Sequence, residues 1–184
     1  MRNAKSNLRR NLKKHSKAVA MIRKVLPAEI DAILDVVNNA AQAYMGIIPA
    51  DCWKEPYMTR RELAEEVARG VEFYGYYESG ALVAVMGIQN LKDVTLIRHA
   101  YVRTNCQRRG LGEKLLRYLL GLAGSSEVLV GTWKAAWWAV RFYEKYGFVL
   151  IPQESRRKLR QYWTIPDRQA ETSVVLRLDR RGNR

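Results

Sequence analysis

Six residues, Gln107-Arg108-Arg109-Gly110-Leu111-Gly112, form the stretch of this chain with the plainest chemistry. The two glycines stand where a helix would begin, and the first backbone N–H groups of a helix have no partner within it. The helix macrodipole places partial positive charge at the same end, which favours an anion. Glycine removes the Cβ atoms that would hold a ligand away from those donors, and Arg108 and Arg109 add full charges. The chemistry implied is phosphate binding. The ordinary alternative is a strand–helix connection with basic residues on its surface.

The elements around the loop are the ones such a site needs. Val94 to Val102 is apolar and β-branched enough to form a strand. Downstream, Leu111, Leu115, Leu116, Leu119 and Leu120 recur at the spacing of an amphipathic helix. A P-loop would need a Lys-Ser/Thr pair after its last glycine, and none is present. A dinucleotide fingerprint would need a small residue where Leu115 stands, and it usually opens a series of βαβ units. Here the loop follows an antiparallel run instead.

Read in order, Ala20 to Leu26 is a first strand, and Pro27 opens a helix with Ile30, Ile33, Leu34, Val37 and Ala41 on its core face. Tyr44 to Met58 is irregular. Thr59 and Glu62 then make a capping box for a short helix ending at Gly70. Val71 to Tyr77 and Ala81 to Gln89 pair as a hairpin, followed by the strand, loop and helix already described. Glu127 to Trp133 is a strand and Ala135 to Tyr146 a helix closed by Gly147. Phe148 to Ile151 starts another strand, Arg156 to Arg160 reads as a basic loop or hairpin tip, and Ala170 to Leu178 is the last strand. The order β-α-α-β-β-β-α-β-α-β-β describes one α/β (α+β mixed) domain with a mostly antiparallel mixed sheet flanked by helices.

Composition sets the outer limits. The chain has 184 residues, 48% of them hydrophobic and 27% charged, as expected of one globular domain. No apolar run approaches the roughly 18 residues of a membrane span. Two distant cysteines, Cys52 and Cys106, give neither a disulfide framework nor a metal-ligand spacing, so the expected compartment is the cytoplasm. Residues 1–20 hold seven basic and no acidic residues, half of the formal net charge of +14. This basic N-terminal extension is expected to be disordered and to precede a folded domain over 21–184. A nucleic-acid-binding arm is its sharper alternative.

A second segment narrows the ligand. Phe142-Tyr143-Glu144-Lys145-Tyr146-Gly147-Phe148 follows Gln107-x-x-Gly110-x-Gly112 by about 30 residues. Loop, spacing and Tyr-Glu-Lys-x-Gly-Phe together resemble the GNAT superfamily of N-acetyltransferases. The resemblance implies acetyl-CoA as co-substrate, no metal, and direct acyl transfer to a primary amine in a ternary complex. It implies that N–H groups from Arg108 through Arg109, Gly110 and Leu111 to Gly112 hold the pyrophosphate. Gln107 then braces the loop or touches phosphate, and the backbone around Val102 binds pantetheine and polarises the thioester. Tyr143 stands at the family's general-acid position. Where many members carry an Asn that contacts the cofactor, this chain has Ala136, so Trp133, Lys134 or a backbone group would have to replace it.

An alkyl amine with a pKa of about 10 is mostly protonated at neutral pH and needs a base. His99 is the candidate, because imidazole is the side chain suited to proton exchange near neutral pH; period-2 alternation puts it on one face with Ile97 and Tyr101. The other histidine, His15, lies in the basic extension. The resemblance assigns the acceptor site to Tyr44 to Met58 and to a last hairpin around Gln153 to Arg168. These are aromatic and poor in acid, with Asp51 and Glu55 the carboxylates of the first stretch. They suit an apolar or aromatic amine, an amino acid or a peptide end, acting as partner without a membrane, with a homodimer left open. Nucleic acid is not the expected main partner. The rival functions are a non-catalytic acyl-CoA-binding regulatory module and a nucleic-acid-binding protein using the basic tail.

Overall fold

The computed structural model describes residues 20–180; the basic extension with His15 lies outside them apart from Ala20. The strands are β1 (Ala20–Lys24), β2 (Glu72–Glu78), β3 (Ala81–Asn90), β4 (Thr95–Val102), β5 (Glu127–Trp133), β6 (Val149–Leu150) and β7 (Ser173–Asp179). The helices are α1 (Ile30–Ala41), α2 (Arg60–Ala68), α3 (Leu111–Leu122), α4 (Trp137–Lys145), α5 (Pro152–Tyr162) and α6 (Asp167–Glu171). The sheet order is β1-β2-β3-β4-β5-β7-β6, antiparallel except between β4 and β5. This mixed sheet with flanking helices is the architecture the sequence predicts.

Each helix is placed by its apolar stripe. Leu111, Leu115, Leu116 and Leu119 of α3 are buried, and they share one core with Ile97, Val130 and Tyr143 of α4. On the opposite face, α1 and α2 bring Val36, Val37 and Leu63 against Phe73 and Val85. Beside them α5 sets Leu159 on Leu96, Leu129 and Val175. The capping box forms as expected: Glu62 N–H donates to Thr59 Oγ1 at 3.2 Å, and Thr59 N–H donates to Glu62 Oε2 at 2.9 Å.

Two expectations are corrected. Gln153 to Arg168 is no hairpin: α5 and α6 lie between β6 and β7, and Arg156 to Arg160 is helical. The helical stripe escapes a hydrophobicity reading because polar residues occupy it. Ser155, Lys158 and Leu159 are its buried members. Ser155 Oγ donates to Ile151 O at 2.8 Å and accepts from Val175 N–H at 2.9 Å, while Lys158 Nζ donates to Glu127 at 3.0 Å.

The second correction concerns β4. Val85 pairs with Tyr101 and Gly87 with Arg98, so His99 and Ala100 stand opposite Met86 alone, a β-bulge. His99 takes φ +51°, a left-handed conformation uncommon outside glycine. Ile97, Ala100 and Val102 pack toward α3 and α4, whereas Arg98, His99 and Tyr101 turn to the α2 side. His99 therefore shares a face with Tyr101 but not with Ile97.

The parallel pair β4–β5 is short. It holds only at Thr95–Val128, Leu96–Leu129 and Ile97–Val130, although both strands continue. Beyond Ile97 they part.

Candidate active site

The glycine loop has a backbone geometry that an anion could fit. Gly110 is the N-cap of α3 at φ +76°, and Arg108 is also left-handed at φ +59°. Such turns aim successive N–H groups into a concavity. The first helical hydrogen bond runs from Lys114 N–H to Gly110 O at 3.1 Å, leaving the N–H groups of Leu111, Gly112 and Glu113 without partners among the described residues. A Cβ on Gly110 would meet nothing within 4 Å, whereas one on Gly112 would lie 3.4 Å from Phe142. The first glycine serves backbone conformation; at the second a Cβ would make only ordinary contact with Phe142, so packing alone does not call for glycine there.

The three polar side chains of the loop have separate positions. Gln107 Nε2 donates to Val102 O at 3.2 Å and braces the loop on the end of β4. Arg109 is committed to Glu78 at 2.7 Å. Arg108 is exposed and forms no ion pair among the described residues, so its charge is the one open to a ligand. Donors, missing Cβ atoms and a free cation together fit a pyrophosphate.

A Gly110→Val variant tests the cradle. A β-branched residue at positive φ costs on the order of 1–2 kcal/mol. The expected outcome is a donor KM raised about tenfold with kcat at saturating donor largely kept, measured by steady-state kinetics.

Where β4 and β5 part there is a cavity of about 360 Å³, whose wall includes Tyr44, Tyr57, Tyr101, Tyr143, Trp133 and Trp163. Tyr143 is held edge-on by Phe142 and Phe148, with ring centroids 5.0 Å and 5.5 Å away. Its hydroxyl makes no hydrogen bond among the described residues, and burial, then the neighbouring Tyr44, pushes the phenol well above its ordinary value. It therefore stays protonated. Tyr57 accepts from Trp133 Nε1 at 2.8 Å, and Tyr44 stacks on Trp138.

His99 meets a carboxylate that sequence reasoning missed. Glu66 Oε2 lies 2.8 Å from His99 Nε2 and 2.8 Å from Arg98 Nη2, and all three residues line the cavity. Arg98 is 6% exposed; Gln89 accepts from its Nη1 at 3.0 Å, while its Nε is buried without a partner among the described residues. Burial raises Glu66, but the hydrogen bond and electrostatic attraction of His99, with the charges of Arg98 and Arg69, outweigh it and hold the carboxyl below its usual range. In sequence Glu66 is one acid of a charged helix. Its signal is position: it follows Leu63 by three residues, on the buried stripe of α2.

Both predicted acceptor stretches reach the cavity, through Tyr44, Cys52 and Tyr57 on one side and Leu159, Trp163 and Ile165 on the other. Asp51 and Arg168 join them at 2.8 Å. The acidic wall comes instead from α2, through Glu62, Glu65 and Glu66. Ala136 is fully buried; Trp133 spends its indole N–H on Tyr57, so that side chain does not replace the missing Asn on the donor side. Arg156, Arg157, Lys158 and Arg160 pair with Glu171, Glu154, Glu127 and Asp167, which leaves no unpaired arginine cluster on α5.

An acetyltransferase (GNAT) domain model matches residues 35–161, well over half of the chain, and the chain belongs to that family. Among solved structures it resembles the PaiA N-acetyltransferase of Thermoplasma acidophilum in complex with coenzyme A, at 16% identity and a TM-score of 0.67, over 87% of this chain and 98% of that one. YncA of Salmonella typhimurium, solved with its cofactor acetyl-CoA, matches at 20% identity and a TM-score of 0.60, over 88% and 94%. The ribosomal-protein-S18-alanine N-acetyltransferase of Escherichia coli matches at 15% and 0.62, over 88% and 94%. No curated protein sequence matches. At these identities the likeness concerns the fold.

Proposed function

We propose that this protein is an N-acetyltransferase that moves an acetyl group from acetyl-CoA to a primary amine by direct attack in a ternary complex. The observation that carries this reading is the unpartnered Tyr143 hydroxyl in a cavity that opens where β4 and β5 part, on the strand that leads into the anion cradle. The N–H groups from Arg108 to Glu113 and the Arg108 charge hold the pyrophosphate. The backbone of β4 near Val102, released from β5, receives the pantetheine arm, and an N–H there polarises the thioester carbonyl. His99 takes the extra proton of the protonated acceptor amine, and the neutral nitrogen then forms the new bond to the carbonyl carbon. As the C–S bond breaks, Tyr143 gives its proton to sulfur; the nitrogen sheds its second proton through solvent, which restores the phenolate, and His99 releases its own proton to solvent.

The aromatic wall favours an apolar or aromatic amine, an amino acid or a peptide end as acceptor. CoA thiol release, measured for a panel of amines with acetyl- and longer acyl-CoA donors, tests the reading. Amine-dependent release is expected. Donor binding without release by any amine would indicate a regulatory module instead. Salt-sensitive nucleic-acid binding that disappears on deletion of residues 1–20, with no release, would indicate the nucleic-acid reading.

A further inference from the structure

The bulge in β4 does more than move His99 to another face. It sets the imidazole against Glu66 and against the ring of Phe73, 5.6 Å away between centroids. A left-handed histidine persists only where its surroundings hold it there, and here a buried carboxylate at 2.8 Å does so. Glu66 is also ion-paired with the buried Arg98 at 2.8 Å, and it lies 3.5 Å from Arg69. An ionised carboxylate can only accept. The ring nitrogen facing it must carry the hydrogen.

We propose that Glu66 is a positioning residue: its carboxylate holds His99 in the Nε2–H tautomer and leaves Nδ1 as the bare nitrogen that receives the proton of the acceptor amine. This rests on the acyl-transfer reading of the same cavity. The other charged groups facing the pair are committed elsewhere. Glu62 is tied to Lys54, and Glu65 to Arg61 and Arg69. Arg98 is shared between Glu66 and Gln89. Tyr101, from the same strand, is buried and its phenol is raised by that burial, so it stays neutral. Among the described residues Glu66 is therefore the one carboxylate in contact with His99, and Arg98 and Arg69 help to keep it ionised.

The substitution Glu66→Gln separates positioning from bulk. An amide of the same shape can donate to Nε2, which moves the hydrogen to Nδ1 and removes the base. The expected kcat at pH 7 falls by about 10²-fold, with the acceptor KM changed less than about threefold. The deficit shrinks as pH approaches the pKa of the amine, because neutral amine then needs no base. Glu66→Asp recovers part of the rate.

Imidazole ¹H–¹⁵N spectra give a readout independent of turnover. The chain has two histidines, so His99→Gln assigns the signals. Wild type is expected to show the Nε2–H tautomer at His99, and Glu66→Gln the Nδ1–H form. An unchanged tautomer, or a rate loss equal at every pH, overturns the proposal. If the tautomer behaves as expected but wild type releases no CoA with any amine, the acyl-transfer reading fails, and with it the base role of Nδ1.

Discussion

Replacing Tyr143 by Phe is expected to lower kcat by about 10²- to 10⁴-fold, the usual worth of a positioned proton donor, with little change in thermal midpoint. The two halves of that result belong together. The ring contacts with Phe142 and Phe148 survive the substitution, and the hydroxyl makes no hydrogen bond among the described residues that could be lost. Stability should move by no more than about 0.5 kcal/mol. A purely packing role predicts instead that the rate, like the stability, stays nearly unchanged. Single-turnover measurement of acetyl transfer, alongside a melting curve, checks both. Because burial holds the phenol above its ordinary value, the wild-type rate should not fall through loss of this proton at any pH below about 10. An unchanged kcat in Tyr143→Phe would remove the acid from the mechanism.

The second large effect concerns what presents the cradle. Leu116 of α3 is fully buried, in the core that contains Ile97 and Tyr143. Leu116→Ala removes that packing and leaves a void, at a cost of about 2–5 kcal/mol. For a chain of this size each kcal/mol moves the midpoint by about 2–4 °C, so a fall of roughly 10 °C is expected by calorimetry. Near the lowered midpoint donor affinity should fade with the fold, whereas well below it the loop geometry and donor KM should be close to wild type. A shift under about 2 °C would mean that α3 is anchored by something other than its leucine stripe.

The glycine-loop side of the candidate site was the more legible because local rules govern it. Gly110 and Gly112 and the leucines of α3 are read from spacings of one to five residues, as is the Thr59–Glu62 box that starts α2, and the structure keeps all of them. The family resemblance rests on that loop, on the segment from Tyr143 to Phe148 and on the spacing between them. The acceptor half depends on contacts distant in sequence. Glu66 meets His99 across 33 residues, and Asp51 meets Arg168 across 117. No periodicity reports such pairs. Helix α5 escaped for a different reason: Ser155 and Lys158 occupy buried positions by satisfying Ile151, Val175 and Glu127, which a scale of hydrophobicity counts as surface.

The extra residue in β4 acts as a phase shift written into a strand. Before it, odd positions such as Ile97 look toward the glycine loop's helix; after it, even positions such as Ala100 and Val102 do. One strand thus serves both faces of the sheet, turning its later even members toward α3 and its odd ones toward α2. The parity is set by chain length between Arg98 and Tyr101, not by which side chains stand there. Removing a single residue from that window would carry a histidine away from Glu66 even with every functional side chain still present in the sequence.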